Sequence, residues 1–409
     1  MSGFGLDRTT VGLAALGLTG YYAAKQYIEG CKVEVVTSGE KTSAVVRETE
    51  AEGPVTLHEL LQSECPSLTD PSRAYMIPTP YLCTGLLQTF YATFNIKRRD
   101  STSDITYDRE LLVMADGGTV SLDWYPSKEP REGEEKLPVV FTLSGVGGSS
   151  QEYFMRALAK SLAHGAQRFR VAVFNHRGTS HTPITAPRPY DSGFTSDLRY
   201  AIDYVREKSD PAVKLAAVGF SMGSNILTKY VGEQGDKCPL SAAVSVCCPF
   251  DIKISGAAIT EDNFLNNKVF QPQVLGTLKR AMKRGSHVAL NPEWGIDIDR
   301  IMNSTKLWEI EEEYLVKVNG YESLDEYYSK ASAVHYVDRI RIPYLAINSL
   351  DDRITPPVGI PMDKFKTNPN LALALVPHGG HLAFLTGVAS PRVWFIDPIA
   401  EFLSAITRS

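Results

Sequence analysis

The sequence lacks the usual signatures of metal, nucleotide and disulfide chemistry. Its six cysteines are scattered through 409 residues without CxxC or mixed Cys/His spacing, which argues against a zinc site and against a disulfide framework. No HExxH, Walker loop or strand-linked GxGxxG occurs, so zinc-dependent, P-loop and dinucleotide chemistry receive no support. The formal net charge is only −5, and this balance gives no reason to expect a nucleic-acid partner.

What is present is an ordinary globular composition. The chain is 43% hydrophobic and 22% charged, which argues against disorder. Its length fits one large domain with decorations, or two modest domains. The composition therefore bounds the class of protein and says little about a substrate.

The pattern Gly219-x-Ser221-x-Gly223 is the most informative stretch of the chain. An apolar, β-prone segment (213–220) precedes the serine, and a segment with helical character (224–230) follows it. A strand that ends abruptly in a helix holds the intervening serine in a tight turn with its hydroxyl exposed, and the glycines let the backbone fold that closely. A chance glycine–serine turn is the alternative, but the flanking elements favour a nucleophile elbow.

Apolar strands and helical segments alternate on both sides of this serine. The predicted strands are 138–143, 169–174, 213–220, 242–248, 344–350 and 371–376, with helices near 151–163, 195–207 and 394–406. Such alternation predicts an α/β fold with a mostly parallel sheet that is covered on both faces. Residues 107–114 and 119–125 are predicted to form a β-hairpin ahead of it. Residues 251–335 interrupt the rhythm and are predicted to form a helical cap.

Carboxylates and histidines follow the last two predicted strands. Asp351 and Asp352 come after the first of these strands, and His378 and His381 come after the second. A serine hydroxyl is a poor nucleophile unless a base takes its proton, and that base is most often a histidine held by a carboxylate. We predict Asp352 as the acid and Asp351 as a turn cap. We predict His381 as the base, because two glycines precede it, and His378 as a loop histidine bonded to backbone.

Two backbone N–H groups are predicted to stabilise the negative charge that develops on a substrate carbonyl oxygen. One belongs to Met222, which follows the serine, and the other to Val146, in the glycine-rich loop 143–148. His176 and His181 lie in the loop after the second central strand. They either line the pocket or remain on the surface, and the surface position is the preferred interpretation.

Together these segments resemble the YheT-like branch of the α/β-hydrolases. That branch includes membrane-anchored α/β-hydrolase-domain lipases and fungal esterases that make medium-chain fatty-acid ethyl esters. The matching segments run from about residue 75 to the C-terminus, and they are 85–89, 116–117, 145–148, 175–178, 219–225, 347–352 and 378–381. The chain has Ser144 and Leu87 where the branch often has histidine, and these departures concern the shape of the acyl pocket.

The resemblance implies an α/β-hydrolase fold and a serine esterase with Ser221, Asp352 and His381 as its triad. It implies lipid-ester substrates, either acylglycerols or medium-chain fatty-acid esters, and neither a cofactor nor a metal. Two alternatives stay open: acyl transfer to an alcohol by the same triad, and a non-catalytic lipid-binding scaffold, because fold does not fix function. The HxxxxD acyltransferase signature follows none of the eight histidines, which argues against acyl-CoA-dependent glycerolipid synthesis by that route.

The amino terminus carries an uncharged run, residues 9–24, between Arg8 and Lys25. A membrane-spanning helix needs about 20 apolar residues, so this run is of borderline length. Two tyrosines near its end suit a membrane interface. We predict a membrane anchor, single-pass or peripheral, while a cleaved signal peptide and a surface-packed helix remain the alternatives.

The predicted domain organisation has three parts. Residues 1–30 form the anchor, residues 31–105 a linker and amino-terminal extension, and residues 106–409 the hydrolase domain with its cap at about 251–335. The sequence does not distinguish the endoplasmic reticulum, lipid droplets and the mitochondrial outer membrane as the location.

Overall fold

Nine short strands form one central sheet in the part of the chain that the structure describes. The structure, a computed structural model, describes residues 23–40, 42–49, 53–94, 104–289 and 295–408. Within these ranges the strands are β1 (Glu34–Thr37), β2 (Val45–Thr49), β3 (Gly53–Thr56), β4 (Asp108–Val113), β5 (Thr119–Tyr125), β6 (Val139–Leu143), β7 (Arg170–Asn175), β8 (Leu215–Phe220), β9 (Ala242–Val246), β10 (Tyr344–Ser349), β11 (Leu371–Val376), β12 (Leu385–Thr386) and β13 (Arg392–Val393).

The central sheet has the order β1-β11-β10-β9-β8-β6-β7-β5-β4. The six strands from β11 to β7 pair in parallel, while β1, β5 and β4 add antiparallel edges. The parallel strands are buried along their whole length. Strands that are covered on both faces read as continuous apolar runs, so the predicted mostly parallel sheet is confirmed.

Helices cover both faces of this sheet. One face packs against Leu57–Glu64, Tyr153–His164 and Ile396–Thr407, and the other against Ser196–Lys208, Met222–Gln234 and Met362–Thr367. In Tyr153–His164 the buried side chains Met155, Leu158 and Leu162 recur at helical spacing, which places one apolar stripe against the strands. Short helical segments lie at Pro66–Thr69, Pro80–Leu82, Gly235–Lys237, Ala333–His335, Val337–Arg339 and Pro357–Gly359. The hydrophobic core is therefore two layers separated by the sheet.

A helical cap lies between β9 and β10, where the sequence predicts one. Its helices are Ile252–Thr260, Asn266–Phe270, Gln271–Ala289, Ile298–Asn303, Leu307–Ile310, Glu311–Val316, Lys317–Asn319 and Leu324–Ala331, of which Asn266–Phe270 and Glu311–Val316 are π-helical. The cap has apolar clusters of its own, one of them around Tyr327 and another around Ile301. We refer below to Gln271–Ala289 as the cap helix.

The segment after residue 31, for which the sequence predicts a linker and then a short helix at 57–61, contains a strand as well as that helix. β1 pairs antiparallel with β11, with Glu34 opposite Leu375, and so covers a strand that would otherwise be an exposed sheet edge. The helix Leu57–Glu64 buries Leu57, Leu60 and Leu61 in the main core. These residues are therefore part of the hydrolase domain rather than a tether.

Within the described ranges, no helix has the length and apolar character needed to cross a membrane. The uncharged run 9–24 lies outside those ranges apart from residues 23 and 24, which are helical, as are residues 25–29. The amino-terminal anchor therefore stays a prediction.

Candidate active site

Ser221 sits in the turn that joins β8 to the helix Met222–Gln234, which we call the nucleophile helix. Its backbone has φ 51° and ψ −124°, a conformation that is strained for a residue with a side chain. Its N–H donates to the carbonyl of Val246 on the neighbouring strand at 2.9 Å. The strand-to-helix geometry predicted from the Gly-x-Ser-x-Gly pattern is therefore present.

The two flanking glycines are required by close backbone contacts. A Cβ on Gly219 would lie 2.5 Å from the Cα of Ser224, and one on Gly223 would collide with the carbonyl oxygens of Ser144 and Leu143. These neighbours are main chain, so the turn has no means of giving way. Any side chain at either position would push the elbow out of place.

His381 contacts both of its predicted partners. Its Nε2 is 2.9 Å from the Ser221 Oγ, and its Nδ1 is 2.8 Å from the Asp352 Oδ2. The backbone N–H of His381 donates to the Thr89 hydroxyl at 2.9 Å, and that hydroxyl donates to the Gly85 carbonyl at 2.8 Å. The helix Gly85–Phe94 thus holds the segment 377–381, which we call the histidine loop, over the serine.

Asp352 is buried, and its carboxylate is fully engaged. Its Oδ1 accepts from the N–H groups of Ile354 and Thr355 at 2.8 and 3.0 Å, and its Oδ2 accepts from the Thr355 hydroxyl at 2.6 Å. Burial alone would raise the pKa of this carboxyl, but His381 and the hydrogen bonds from Thr355 together lower it. Asp352 is therefore an anion, held in the orientation that fixes the His381 ring.

Asp351 has a different set of contacts. Its carboxylate accepts the N–H groups of Gly85, Gly379 and Gly380 at 2.6, 3.0 and 2.9 Å. It ties the helix Gly85–Phe94 to the histidine loop, which is a wider role than the turn cap predicted for it. His378 lies beside it, with Nδ1 3.6 Å from the Asp351 Oδ2, and does not take part in the contacts of Ser221.

The loop after β6 lies directly against the serine. A Cβ on Gly145 would come within 3.0 Å of the Ser221 Cβ. Two residues further along, the N–H of Gly147 donates to the Tyr190 hydroxyl at 3.0 Å. Val146, between them, is 40% exposed and lines the cleft. Met222 occupies the first position of the nucleophile helix, where backbone N–H groups have no partner within a helix. Val146 therefore lines the same cleft as Ser221, and Met222 follows Ser221 along the chain, so the assignment of their N–H groups as oxyanion donors stays a prediction.

A cleft of about 770 Å³ opens above the serine. It has the size of a pocket for an organic ligand. Its floor includes Ser221, His381 and the loop after β6, one wall comes from Thr89 and Ala92, and the roof comes from the cap. The cap residues are mixed in character, with Phe270 and Val274 beside Arg280, Lys283 and Arg284.

An inner cavity of about 130 Å³ continues from this cleft towards the cap core. The two share Val146, Val274 and Leu307 in their linings. Most of the inner lining is apolar, but it includes Glu311, whose carboxylate accepts a hydrogen bond from the Tyr328 hydroxyl at 2.6 Å. Burial raises the pKa of Glu311 from its ordinary 4.5 to about 7.

This raised pKa predicts a pH-dependent effect of Glu311→Gln on stability. The folded protein binds the proton more tightly than the unfolded chain, so the stabilisation is complete below about pH 4.5 and is lost as pH rises through 7. Glutamine mimics the neutral acid. The free energy of unfolding of the variant should match that of the wild type at low pH. At alkaline pH it should exceed the wild-type value by up to about 3 kcal/mol, and the higher stability should also appear as a higher Tm. An exposed control, Glu322→Gln, should show no such trend, and a pH-independent difference for Glu311→Gln would contradict the assignment.

The surface prediction for His176 is wrong. The ring is buried, stacks on Tyr190 with centroids 4.6 Å apart and meets Phe174 edge-on. Burial lowers the pKa of His176 to about 3, so the ring is neutral and part of the support for Tyr190. His181 is exposed and lines a separate side pocket with Arg284.

Sequence reasoning missed three polar residues around the site. Thr89 lies in the matched 85–89 segment, so that motif was the available signal. Asn225, at the end of the elbow motif, is fully buried and bonds the Ser192 and Ala331 carbonyls and the Ala333 N–H, which fixes the cap to the nucleophile helix. Tyr190 had no sequence signal, because its contact with the loop after β6 is long-range.

A strand–serine–helix turn that faces a histidine loop on a mostly parallel sheet defines the α/β-hydrolase class. The comparisons agree with that geometry. A family model described as the alpha/beta hydrolase fold matches residues 138–273. The chain is 30% identical to embryogenesis-associated protein EMB8 of Picea glauca, over 85% of this chain and 75% of that protein.

Two further relatives extend the match. Phospholipase ABHD3 of Mus musculus is 30% identical over 85% of this chain and 82% of its own length. Medium-chain fatty acid ethyl ester synthase/esterase 2 of Saccharomyces cerevisiae is 30% identical over 80% of this chain and 84% of its own. The chain belongs to the α/β-hydrolase family, in the YheT-like branch that its motifs predicted.

Proposed function

We propose that this protein is a serine hydrolase that cleaves the carboxylic esters of lipids through an acyl-enzyme. The observation that carries the proposal is the continuous hydrogen-bonded series from the Asp352 carboxylate through His381 to the Ser221 hydroxyl at the floor of the cleft. Geometry of this kind makes a serine nucleophilic, because the base is within bonding distance and is itself oriented.

In the first half of the reaction, the Ser221 Oγ attacks the ester carbonyl carbon while its proton passes to the Nε2 of His381. The negative charge moves to the carbonyl oxygen, and we assign its stabilisation to the N–H groups of Val146 and Met222. The Asp352 carboxylate keeps its bond to the Nδ1–H and stabilises the imidazolium. When the tetrahedral intermediate collapses, the proton on Nε2 goes to the leaving alcohol oxygen, and the acyl group remains on Ser221.

In the second half, water attacks the acyl carbon and gives its proton to the Nε2 of His381. The fatty acid leaves, and Ser221 regains its proton. An alcohol that occupied the position of this water would give transesterification with the same proton transfers. The relative named as an ethyl ester synthase/esterase supports this second reaction as an alternative, since both reactions use one acyl-enzyme.

Lipid esters are the substrate class that the site favours. The inner cavity, with its largely apolar lining, is placed to receive an acyl chain whose carbonyl lies at Ser221. Relatives include a protein named as a phospholipase and one named as a monoacylglycerol lipase.

On the sequence alone we also propose that residues 1–30 attach the enzyme to a membrane. The test is carbonate extraction of membranes that contain either the full chain or a chain beginning at Lys32. It measures whether the amino-terminal residues retain the protein in the membrane fraction.

The experiment that tests the function is an ester panel. We expect the purified protein to hydrolyse 1-monoacylglycerols and p-nitrophenyl esters, with a dependence of kcat/KM on acyl length. Added ethanol should divert part of the product to ethyl ester without changing the rate of p-nitrophenol release when acylation limits turnover. Absence of turnover on every ester, with the protein folded, would leave only the lipid-binding scaffold.

A further inference from the structure

Three cations share one face of the cap helix at the cleft. Arg280, Lys283 and Arg284 are spaced i, i+3 and i+4, are exposed, and all line the cleft that contains Ser221. Residues with this spacing lie together on one side of a helix. A neutral lipid offers no charged partner to a cation, so the positive charge of Arg280 and Arg284 in the roof of an ester-binding cleft requires a different explanation.

The two arginines retain donors for a ligand. Arg280 donates one bond from Nη2 to the Thr277 hydroxyl at 3.0 Å, and Arg284 donates one from Nη2 to the Gly178 carbonyl at 3.1 Å. A guanidinium carries five N–H donors. Across the described part of the chain, neither arginine forms an ion pair with a carboxylate. These anchoring bonds fix the side chains while leaving their positive charge uncompensated by direct contact.

The position of the three cations along the cap helix determines how far they lie from the scissile carbonyl at Ser221. The cap helix meets the loop after β6 at Thr277, whose Cγ2 occupies the space that a Cβ on Gly147 would take. The three cations begin three residues further along, which corresponds to about 5–10 Å of helix at 1.5 Å per residue. An anionic group separated from the scissile carbonyl by a short alcohol part, such as glycerol, would reach them.

We infer that Arg280, Lys283 and Arg284 bind an anionic group, with phosphate the best match, on the alcohol part of the ester substrate. The inference rests on the proposed function and narrows its substrate to acylglycerol phosphates over neutral acylglycerols. Phosphate is favoured because it offers several acceptor oxygens to the planar fork of an arginine. The acyl chain then lies in the inner cavity and the phosphate under the cap helix.

The test compares two soluble substrates that differ only in phosphate. These are 1-hexanoylglycerol 3-phosphate and 1-hexanoylglycerol, both kept as monomers. We expect the wild type to prefer the phosphate ester in kcat/KM by about tenfold or more. Arg280→Gln/Lys283→Gln should reduce the ratio of the two kcat/KM values by about 10- to 100-fold, mainly through KM. The preference should weaken as salt rises from about 50 to 500 mM, because these charges are exposed.

The control removes the same charge elsewhere. Lys237→Gln/Lys366→Gln changes two exposed lysines that do not line the cleft, and it should keep the wild-type ratio. Circular dichroism establishes that both double variants are folded. A ratio unchanged in Arg280→Gln/Lys283→Gln would overturn the inference while both esters are still hydrolysed, whereas failure of the proposed function would leave neither ester hydrolysed.

A second arm distinguishes the substrate's phosphate from a phosphate-rich surface. A neutral monoacylglycerol of longer chain is presented in vesicles of phosphatidylcholine with or without phosphatidic acid. If Arg280→Gln/Lys283→Gln altered only the response to anionic vesicles, with the monomer ratio unchanged, the cations would serve a membrane surface and the inference would be wrong. Loss of the monomer preference supports it whatever the vesicles show.

Discussion

Replacement of Ser221 by alanine is expected to reduce ester turnover by about 10⁴- to 10⁶-fold in kcat. The variant lacks the hydroxyl oxygen that the Nε2 of His381 contacts, so no acyl-enzyme forms. Residual hydrolysis should come from polarisation of the carbonyl by the N–H groups of Val146 and Met222, with water as the nucleophile. The measurement is p-nitrophenyl ester hydrolysis under saturating substrate.

The fold should survive Ser221→Ala, because the lost hydroxyl faces the cleft and the turn is held by main-chain contacts. The matched control is Ser63→Ala, at an exposed serine in the helix Leu57–Glu64, which should keep wild-type turnover. Near-wild-type activity in purified Ser221→Ala would assign the nucleophile elsewhere.

The second large effect distinguishes Asp352 from its neighbour Asp351, and His381 from the nearby His378. Asp352→Asn and His381→Ala should each cost about 10³- to 10⁴-fold in kcat, because the serine then loses its base or the base loses its correct tautomer and orientation. His378→Ala should change kcat less than about threefold, since His378 contacts Asp351 rather than Ser221.

Asp351→Asn should behave differently from both. Its carboxylate accepts three backbone N–H groups, and bonds to a charged acceptor contribute about 1.5–3 kcal/mol each in favourable cases. We expect a lower Tm with a smaller loss of kcat than in Asp352→Asn. We compare kcat and Tm for all four variants. A larger loss of kcat in Asp351→Asn than in Asp352→Asn, or in His378→Ala than in His381→Ala, would assign the catalytic role to the neighbouring residue.

The proposed catalytic residues could be located in the sequence because they lie at strand ends. β11 spans Leu371–Val376, the range that the sequence predicts, and Asp352 and His381 follow β10 and β11. Parallel strands buried on both faces have a strong local signal, and their carboxyl ends meet at one edge of the sheet. The order of acid and histidine along the chain then left few arrangements to choose from.

The rest depends on contacts between distant segments. β1 is short and only partly buried, so its local pattern does not distinguish a strand from a linker, and its partner β11 lies far along the chain. His176 is buried because Phe174 and Tyr190 enclose it, and no periodicity around residue 176 indicates that. The same holds for the cations over the cleft, since helical spacing predicts their common face but not that the face turns towards Ser221.

A fluorophosphonate followed by peptide mass spectrometry tests the proposed nucleophile most directly. The reagent is attacked by an activated serine and leaves a stable phosphonyl ester on its oxygen. We expect one adduct per chain, on the peptide that contains Ser221, formed at a rate that falls sharply in His381→Ala. No adduct on folded protein, or an adduct confined to another residue, would contradict a Ser221 acyl-enzyme.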